Sequence, residues 1–262
     1  MRTLNRWISE FGIDPLRTIS AVRNLPVTLR DYRLLKTQNS SHDGWKLEFP
    51  RPCLHDRDAM GGIASGHYFH QDLLVARKIY ERSPERHVDV GSRLDGFVAH
   101  VAVFREIVVL DIRPSPSTVK NIRFLQKDVT QLDPAMADYC DSLSCLHALE
   151  HFGLGRYGDA IDVDGYIKGF RVLTAMLKPN GVLYLSVPIG RERIEFNGQR
   201  VFSIQRILDL SLPSFELIGF SYVDDEGDLH ETDVSNMDEL AVDKRLEFGC
   251  GIFEFRKSVS AG

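Results

Sequence analysis

From residue 87 onward, short continuous apolar runs alternate with segments whose apolar residues recur every three or four positions. HVDVG (87–91), EIVVLD (106–111), NIRFLQKD (121–128), DSLSCLHAL (141–149) and GVLYLSVP (181–188) read as strands buried on both faces. Between them, LDGFVAHVAVF (94–104) sets Phe97, Val101 and Phe104 on one helical face. YIKGFRVLTAMLKPNG aligns Ile167, Phe170, Leu173 and Leu177 ahead of a stop at Pro179-Asn180-Gly181. SIQRILDLSL predicts another helix, and FELIGFSYV (215–223) and CGIFEFRK (250–257) predict strands six and seven. Only the acidic, polar stretch 224–248 separates those two, so they are expected to pair antiparallel, with Asp224, Asp225, Glu226 and Asp228 in a solvated hairpin loop. The prediction is an α/β fold: a doubly wound, mostly parallel seven-stranded Rossmann-like sheet with an antiparallel last strand.

Ahead of this domain, Phe69, Leu73, Ala76 and Tyr80 recur at helical spacing in SGHYFHQDLLVARKIYERSP, which Pro84 stops. Residues 1–35 carry Leu4, Trp7, Ile8, Phe11, Leu16, Ile19 and Val22 at spacings that suit short amphipathic helices around Pro15. Residues 36–62 are rich in Ser, Asn, Asp, Gly and Pro and read as an irregular connector. Residues 1–62 are therefore expected to form a helical extension and connector, and 63–262 the main domain.

Composition narrows the function. At 43% hydrophobic, with 15 Phe, the 262 residues supply a substantial core. A net charge of -5 with no basic block disfavours a nucleic-acid partner. No apolar run reaches the length of a membrane span, and the first residues lack the apolar core of a signal peptide, so a cytoplasmic protein is expected. Cys53, Cys140, Cys145 and Cys250 show no zinc-like spacing and are expected to be reduced, packed thiols.

Ligands of doubly wound sheets bind at the carboxyl ends of the strands, where the strand order reverses. The first strand-to-helix turn is Asp89-Val-Gly91-Ser92-Arg93-Leu-Asp95-Gly96. Asp89 can accept from the ammonium of an amino-acid cofactor, Gly91 lets the backbone approach a ligand, and Gly96 eases entry into the helix. Asp111, at the end of strand two, can accept from both hydroxyls of a ribose, and Asp128, after strand three, can meet an adenine edge. Taken singly, each acid can instead cap a local turn; in order at three successive strand ends they form a binding constellation. Arg93 stands where such loops usually carry glycine. An arginine there is strained if the position needs a positive φ, but its cation can pair with a cofactor carboxylate.

HVDVGSRLDG, IVVLDIRP, FLQKDV, LHALEHFGLGRYGD and LKPNGVLYLSVP together resemble class I methyltransferases over roughly residues 65–257. More narrowly, SGHYFHQDLLVARKIY with DVGSRLDG and ALEHFGLGRYGD is similar to the family first catalogued as a nematode domain of unknown function, family 268. The resemblance implies S-adenosyl-L-methionine as cofactor and methyl transfer to a sugar or other small polar acceptor, with surface-glycan assembly as a setting. Methyl transfer to a hydroxyl needs alignment and removal of a proton. His147, Glu150 and His151 stand at the end of strand four, with His151 the better placed base, although Leu-Glu-His there often only positions the cofactor. Arg156 and Tyr157, in the loop Gly153-Leu-Gly155-Arg-Tyr-Gly158, are expected at the acceptor as part of a flexible cover. His67, Tyr68, His70 and Asp72 precede strand one and can fold over the cofactor, His70 as a contact. Asp159, Asp162 and Asp164 offer oxygen ligands but suit the cap of the next helix, so no metal is expected. Two alternatives stay open: a degenerate, non-catalytic partner or scaffold, which Arg93 favours, and a nicotinamide-dependent oxidoreductase, which the closing antiparallel strands oppose.

Overall fold

The computed structural model describes residues 7–39, 45–48, 50–212, 214–235 and 239–259. The chain forms two compact units, Met1–Ile63 and Ala64–Gly262. In the first, residues 7–10 are helical ahead of Pro15 as expected, but from Pro15 the chain forms one long helix, α1 (Pro15–Asn39), with Pro26 inside it, in place of a short one. Leu4, at the start of the expected helical extension, lies outside the described residues. The buried Asn24 donates through Nδ2 to the carbonyl of Leu54 at 2.8 Å, tying the helix to the irregular segment behind it. Among the described residues no helix is long and apolar enough to cross a membrane.

In the second unit, helix α2 (His67–Arg82) leads into β1 (His87–Val90), two helical turns at Leu94–Val98 and Ala99–Ala102, β2 (Ile107–Asp111), β3 (Ile122–Gln126) and β4 (Cys140–Leu146). Helix α3 (Gly165–Met176) then runs into β5 (Leu177–Ile189), a small hairpin β6 (Arg193–Glu195) and β7 (Gln199–Val201), and helix α4 (Ile204–Ser211). Strands β8 (Phe215–Val223), β9 (Leu229–Thr232) and β10 (Gly249–Lys257) close the domain. The main sheet runs β3-β2-β1-β4-β5-β10-β8-β9. Strands β1 to β5 are parallel, and β10 is antiparallel to both β5 and β8.

Beyond the seven expected strands, β9 pairs antiparallel with β8 as an eighth. The acidic stretch makes the turn between them, because Asp224 Oδ1 accepts from the amides of Glu226 and Asp228.

Alternation along each strand sorts the core into two layers. Val88, Val90, Val108, Leu110, Leu143 and Leu183 pack toward α3 and α4. Ile107, Val109, Val182 and Tyr184 pack with Leu74, Val75 and Ile79 of α2. The buried face of α2 is rotated from the one its aromatics suggest: Phe69, Leu73 and Tyr80 are exposed, while Gln71 and Asp72 are buried. A helix lying at the rim of a ligand cleft turns polar groups inward, and the apolar period alone cannot show this.

Candidate functional site

The strand order reverses between β1 and β4, and a cleft of about 670 Å³ opens there, at the carboxyl ends of the parallel strands. Its floor is the β1 turn. Gly91 takes φ +79°, and a Cβ there would stand 2.7 Å from the Cβ of Ala148. Arg93, the residue out of pattern, sits at φ -69°, ψ 137°, ordinary extended backbone, so arginine costs no strain here. Its guanidinium forks onto the exposed Asp95 at 2.9 and 2.7 Å.

Asp89 does not line the cleft. It is fully buried behind the turn, where Ser92 donates to it through backbone N (3.1 Å) and Oγ (2.8 Å), and Ser144 Oγ donates at 2.6 Å. Burial, only partly offset by these donors, pushes its carboxyl up to about 7. Its place is to shape the loop. Asp72 of α2 faces the cleft instead, 7% exposed, with its pKa raised by burial. Gly96 makes room for it: a Cβ at that position would lie 3.1 Å from Asp72 Oδ2. His70, expected at the cofactor, does not line the cleft. Neighbouring helix positions point in different directions, so Tyr68, Gln71 and Asp72 face it instead.

Asp111 lines the far wall and is held by Arg113, whose Nε and Nη2 donate at 2.9 and 2.5 Å. The Arg113 guanidinium stacks 4.5 Å from the centre of the Tyr157 ring. Behind Tyr157 lies a narrow recess of about 60 Å³ lined by Val90, Leu110, Asp128, Val129, Ala148 and Phe152. Asp128 Oδ1 accepts from both N (2.8 Å) and Oγ1 (2.7 Å) of Thr130, so the turn-capping reading of this acid holds while it also reaches the recess.

At the end of β4, His147 takes φ +50° and the chain turns into a short 3-10 segment, Leu149–His151. Glu150, fully buried, places Oε1 2.8 Å from His147 Nδ1 and 3.6 Å from His151 Nε2; its Oε2 has no partner. His147 Nε2 faces His67 Nδ1 at 3.2 Å. Burial alone would lower the His147 pKa, but the Cys250 sulfur and the Glu150 carboxylate outweigh it and hold it well above the usual value. With both ring nitrogens engaged inside the protein, His147 has none to offer a substrate.

His151 differs. Its Nδ1 donates to the Gly198 carbonyl at 2.7 Å, which leaves Nε2, on a residue that lines the cleft, with Arg156 at 3.4 Å and Glu150 Oε1 at 3.6 Å. Burial and the Arg156 charge lower its pKa, so the imidazole is neutral at neutral pH. Arg156 and Tyr157 both line the cleft, and Tyr157 meets His151 edge to face at 5.6 Å. Their glycine loop is a built turn: Asp159 Oδ2 accepts from Gly153 N and Gly155 N, at 2.9 and 3.1 Å. Asp162 pairs with Lys168 and accepts from Asp164 N, while Asp164, at the N-cap of α3, makes no side-chain capping bond, so these acids organise loop backbone and do not cap the helix as expected.

Sequence reasoning missed the β6–β7 hairpin, which supplies Gly198. The Asn197-Gly198 pair inside RIEFNGQRV was the available signal. It also missed the buried Arg200, which donates to the carbonyls of Glu150, Phe152, Asp162 and Val163 and so clamps the 3-10 turn to the glycine loop.

The strand order, the closing antiparallel strand and the cleft at the reversal are those of the class I methyltransferase fold. Residues 117–246 match the model of a family described as "Caenorhabditis protein of unknown function, DUF268". The narrower resemblance read from the motifs holds over this stretch, and the class I resemblance holds at the level of the fold. The matched stretch includes Asp128 and the whole of His147–Asp159 and begins beyond the β1 turn.

Among solved structures, the chain is similar to the 1,6-didemethyltoxoflavin-N1-methyltransferase of Burkholderia thailandensis, with bound 1,6-didemethyltoxoflavin and S-adenosylhomocysteine. That likeness has a TM-score of 0.50 and 14% identity, and covers 72% of this chain and 79% of that one. It is also similar to the N-methyltransferase NodS of Bradyrhizobium japonicum WM9 in complex with S-adenosylhomocysteine, with a TM-score of 0.50 and 14% identity, over 73% and 88% of the two chains. A second structure of NodS gives a TM-score of 0.51 at 11% identity, over 75% and 100%. No curated protein matches the chain in sequence.

Proposed function

We propose that this protein is an S-adenosyl-L-methionine-dependent methyltransferase that methylates a hydroxyl of a sugar or another small polar acceptor. The observation that carries the reading is the polar lining of the cleft at the strand-order reversal, with Asp72 on one wall and Asp111 on the other. The site fits an amino-acid nucleoside in size and chemistry. Asp72, nearly buried and aimed across Gly96, is the acceptor for its ammonium, and Arg93 at the rim is the partner for its carboxylate. Asp111 receives the ribose hydroxyls, and the apolar recess near Asp128 takes the adenine. Bound there, the cofactor supplies an activated methyl group.

His151 then has the remaining task. Its neutral ring, fixed through Nδ1 by Gly198, keeps Nε2 ready to take the proton of an acceptor hydroxyl held near Tyr157 and Arg156. The titratable acceptor distinguishes a hydroxyl from an amine, which sheds its proton to solvent. The binding fold of the named neighbours is compatible with either, and it is the positioned base that favours oxygen. A non-catalytic scaffold loses its main support, since Arg93 leaves the turn unstrained.

Calorimetry with S-adenosylhomocysteine, followed by transfer of labelled methyl from S-adenosylmethionine to a panel of nucleotide sugars and glycans, tests the reading. Absence of cofactor binding overturns it.

A further inference from the structure

Beside the cleft, three donors from distant parts of the chain converge: His67 at the start of α2, His147 after β4 and Cys250 at the start of β10. One ligand atom of each lies within 4.8 Å of the other two, and His147 and Cys250 are buried. His67 and His147 are 80 positions apart, so no sequence spacing reveals the set. We propose that His67, His147 and Cys250 form a site for a single zinc-class divalent ion, a property independent of cofactor binding and of methyl transfer.

Hydrogen bonds behind the two rings orient them. His147 Nδ1 is 2.8 Å from Glu150 Oε1, a buried carboxylate that holds a proton on Nδ1 and leaves Nε2 as the nitrogen whose proton an ion displaces. His67 is hydrogen-bonded to the backbone of Phe248 and has Nδ1 left over. A carboxylate or a carbonyl is what the other ring nitrogen of a metal-bound histidine commonly meets. These bonds direct the two free ring nitrogens at one point, where they stand 3.2 Å apart. Two acceptors cannot face each other at that distance without a proton or a cation between them. Two nitrogens each about 2.0–2.1 Å from a tetrahedral zinc lie roughly 3.3–3.4 Å apart, so the histidines already span the edge of such an ion. An N–S edge of the same tetrahedron is about 3.5 Å, so the sulfur needs to close by little more than about 1 Å.

The frame around the donors is fixed. Gly66 N donates to Gly227 O at 2.8 Å, holding the start of α2 to the β8–β9 turn. Asp225 accepts from Glu247 N (2.9 Å) and Phe248 N (2.7 Å), holding the entry to β10. Gln71 joins the two sides: its Oε1 accepts from Ser186 Oγ at 2.6 Å and lies 3.8 Å from Cys250 Sγ. Three protein ligands with nitrogen and sulfur donors select zinc over magnesium or calcium and leave a fourth position for water or a ligand. Binding releases the thiol proton and the proton shared by the two imidazoles, so affinity rises with pH.

The test uses the full chain, stripped with a chelator and titrated with Zn²⁺ by calorimetry, then with Co²⁺ by absorption spectroscopy. The expected result is one ion per chain and, with Co²⁺, a thiolate charge-transfer band with tetrahedral visible bands. His67→Ala, which alters a half-buried position, is expected to weaken Zn²⁺ at least tenfold while keeping the charge-transfer band. Cys250→Ser is expected to weaken binding and abolish that band. A wild-type chain that takes up no stoichiometric Zn²⁺, or variants that bind as tightly as wild type, overturns the site and leaves a shared proton as the link between the histidines. S-adenosylhomocysteine titrated into the zinc-free chain reads the cleft separately, so the two proposals fail independently.

Discussion

Arg113 closes a two-pronged ion pair onto Asp111, through Nε at 2.9 Å and Nη2 at 2.5 Å, on the cleft wall at the end of β2. The pair holds the Asp111 carboxylate in one orientation where the ribose is proposed to sit. Hydrogen bonds to a charged acceptor are worth about 1.5–3 kcal/mol each. Asp111→Asn is therefore expected to weaken S-adenosylhomocysteine binding by tenfold or more in calorimetry, with a small change in thermal midpoint because Arg113 is part-exposed. Unchanged affinity would place the ribose elsewhere.

His151 is the one histidine of the β4 turn with a ring nitrogen free for substrate. Loss of a positioned general base typically costs about 10²–10⁴-fold in rate. His151→Ala is expected to show that loss in kcat while S-adenosylhomocysteine affinity stays within about threefold, since Asp72, Asp111 and the recess are untouched. Because burial and Arg156 lower its pKa, the acid limb of the rate profile should lie below the usual imidazole range. A limb above that range, or a variant with full activity, removes His151 as the base.

Gly91 meets Ala148 with no room for a methyl group, at a φ of +79° that L residues seldom adopt. Gly91→Ala suffers both the contact and the strain, which together cost on the order of 1–3 kcal/mol. A lowered urea midpoint with weakened cofactor binding is expected. Ala148→Gly in the same chain should recover only the part due to the contact, and no recovery would show that backbone strain alone is at issue.

Asp89 gives a pH signature. Its folded pKa, about 7, lies above the unfolded value of about 3.9, so between those values the folded chain holds more protons than the unfolded one. Its contribution to stability therefore falls as pH rises through that window. His87, fully buried between Ser142 and Ser144 with its pKa lowered to about 3, acts oppositely: the unfolded chain gains its proton below about 6.5. The total slope mixes the two, so the informative quantity is a difference. The thermal midpoint of Asp89→Asn relative to wild type should rise between about pH 5 and about pH 8. A difference independent of pH would show that Asp89 titrates normally.

The sequence by itself determined the sheet. Runs such as IVVLD at β2 bury every residue, and only a parallel strand covered on both faces accommodates such a run. The glycine-bearing β1 turn and the acid ending β2 were legible for the same reason: local chain geometry ties them to strand ends. So was the cluster His147–Tyr157, because it follows directly from β4.

Tertiary structure decided which of those residues face a ligand. Asp89 and Asp72 are both acids near the β1 turn, but β1 buries one behind the loop, and α2 swings the other into the cleft. Nothing in the apolar period of α2 foretold that rotation, since Phe69, Leu73 and Tyr80 carry the stronger pattern yet lie outside. The expectation of no metal rested on local cysteine spacing and on Asp159, Asp162 and Asp164 as capping acids, and neither bears on donors brought together from α2, β4 and β10. Strand ends are written in neighbouring residues. A site assembled across the sheet exists only once the strands have paired.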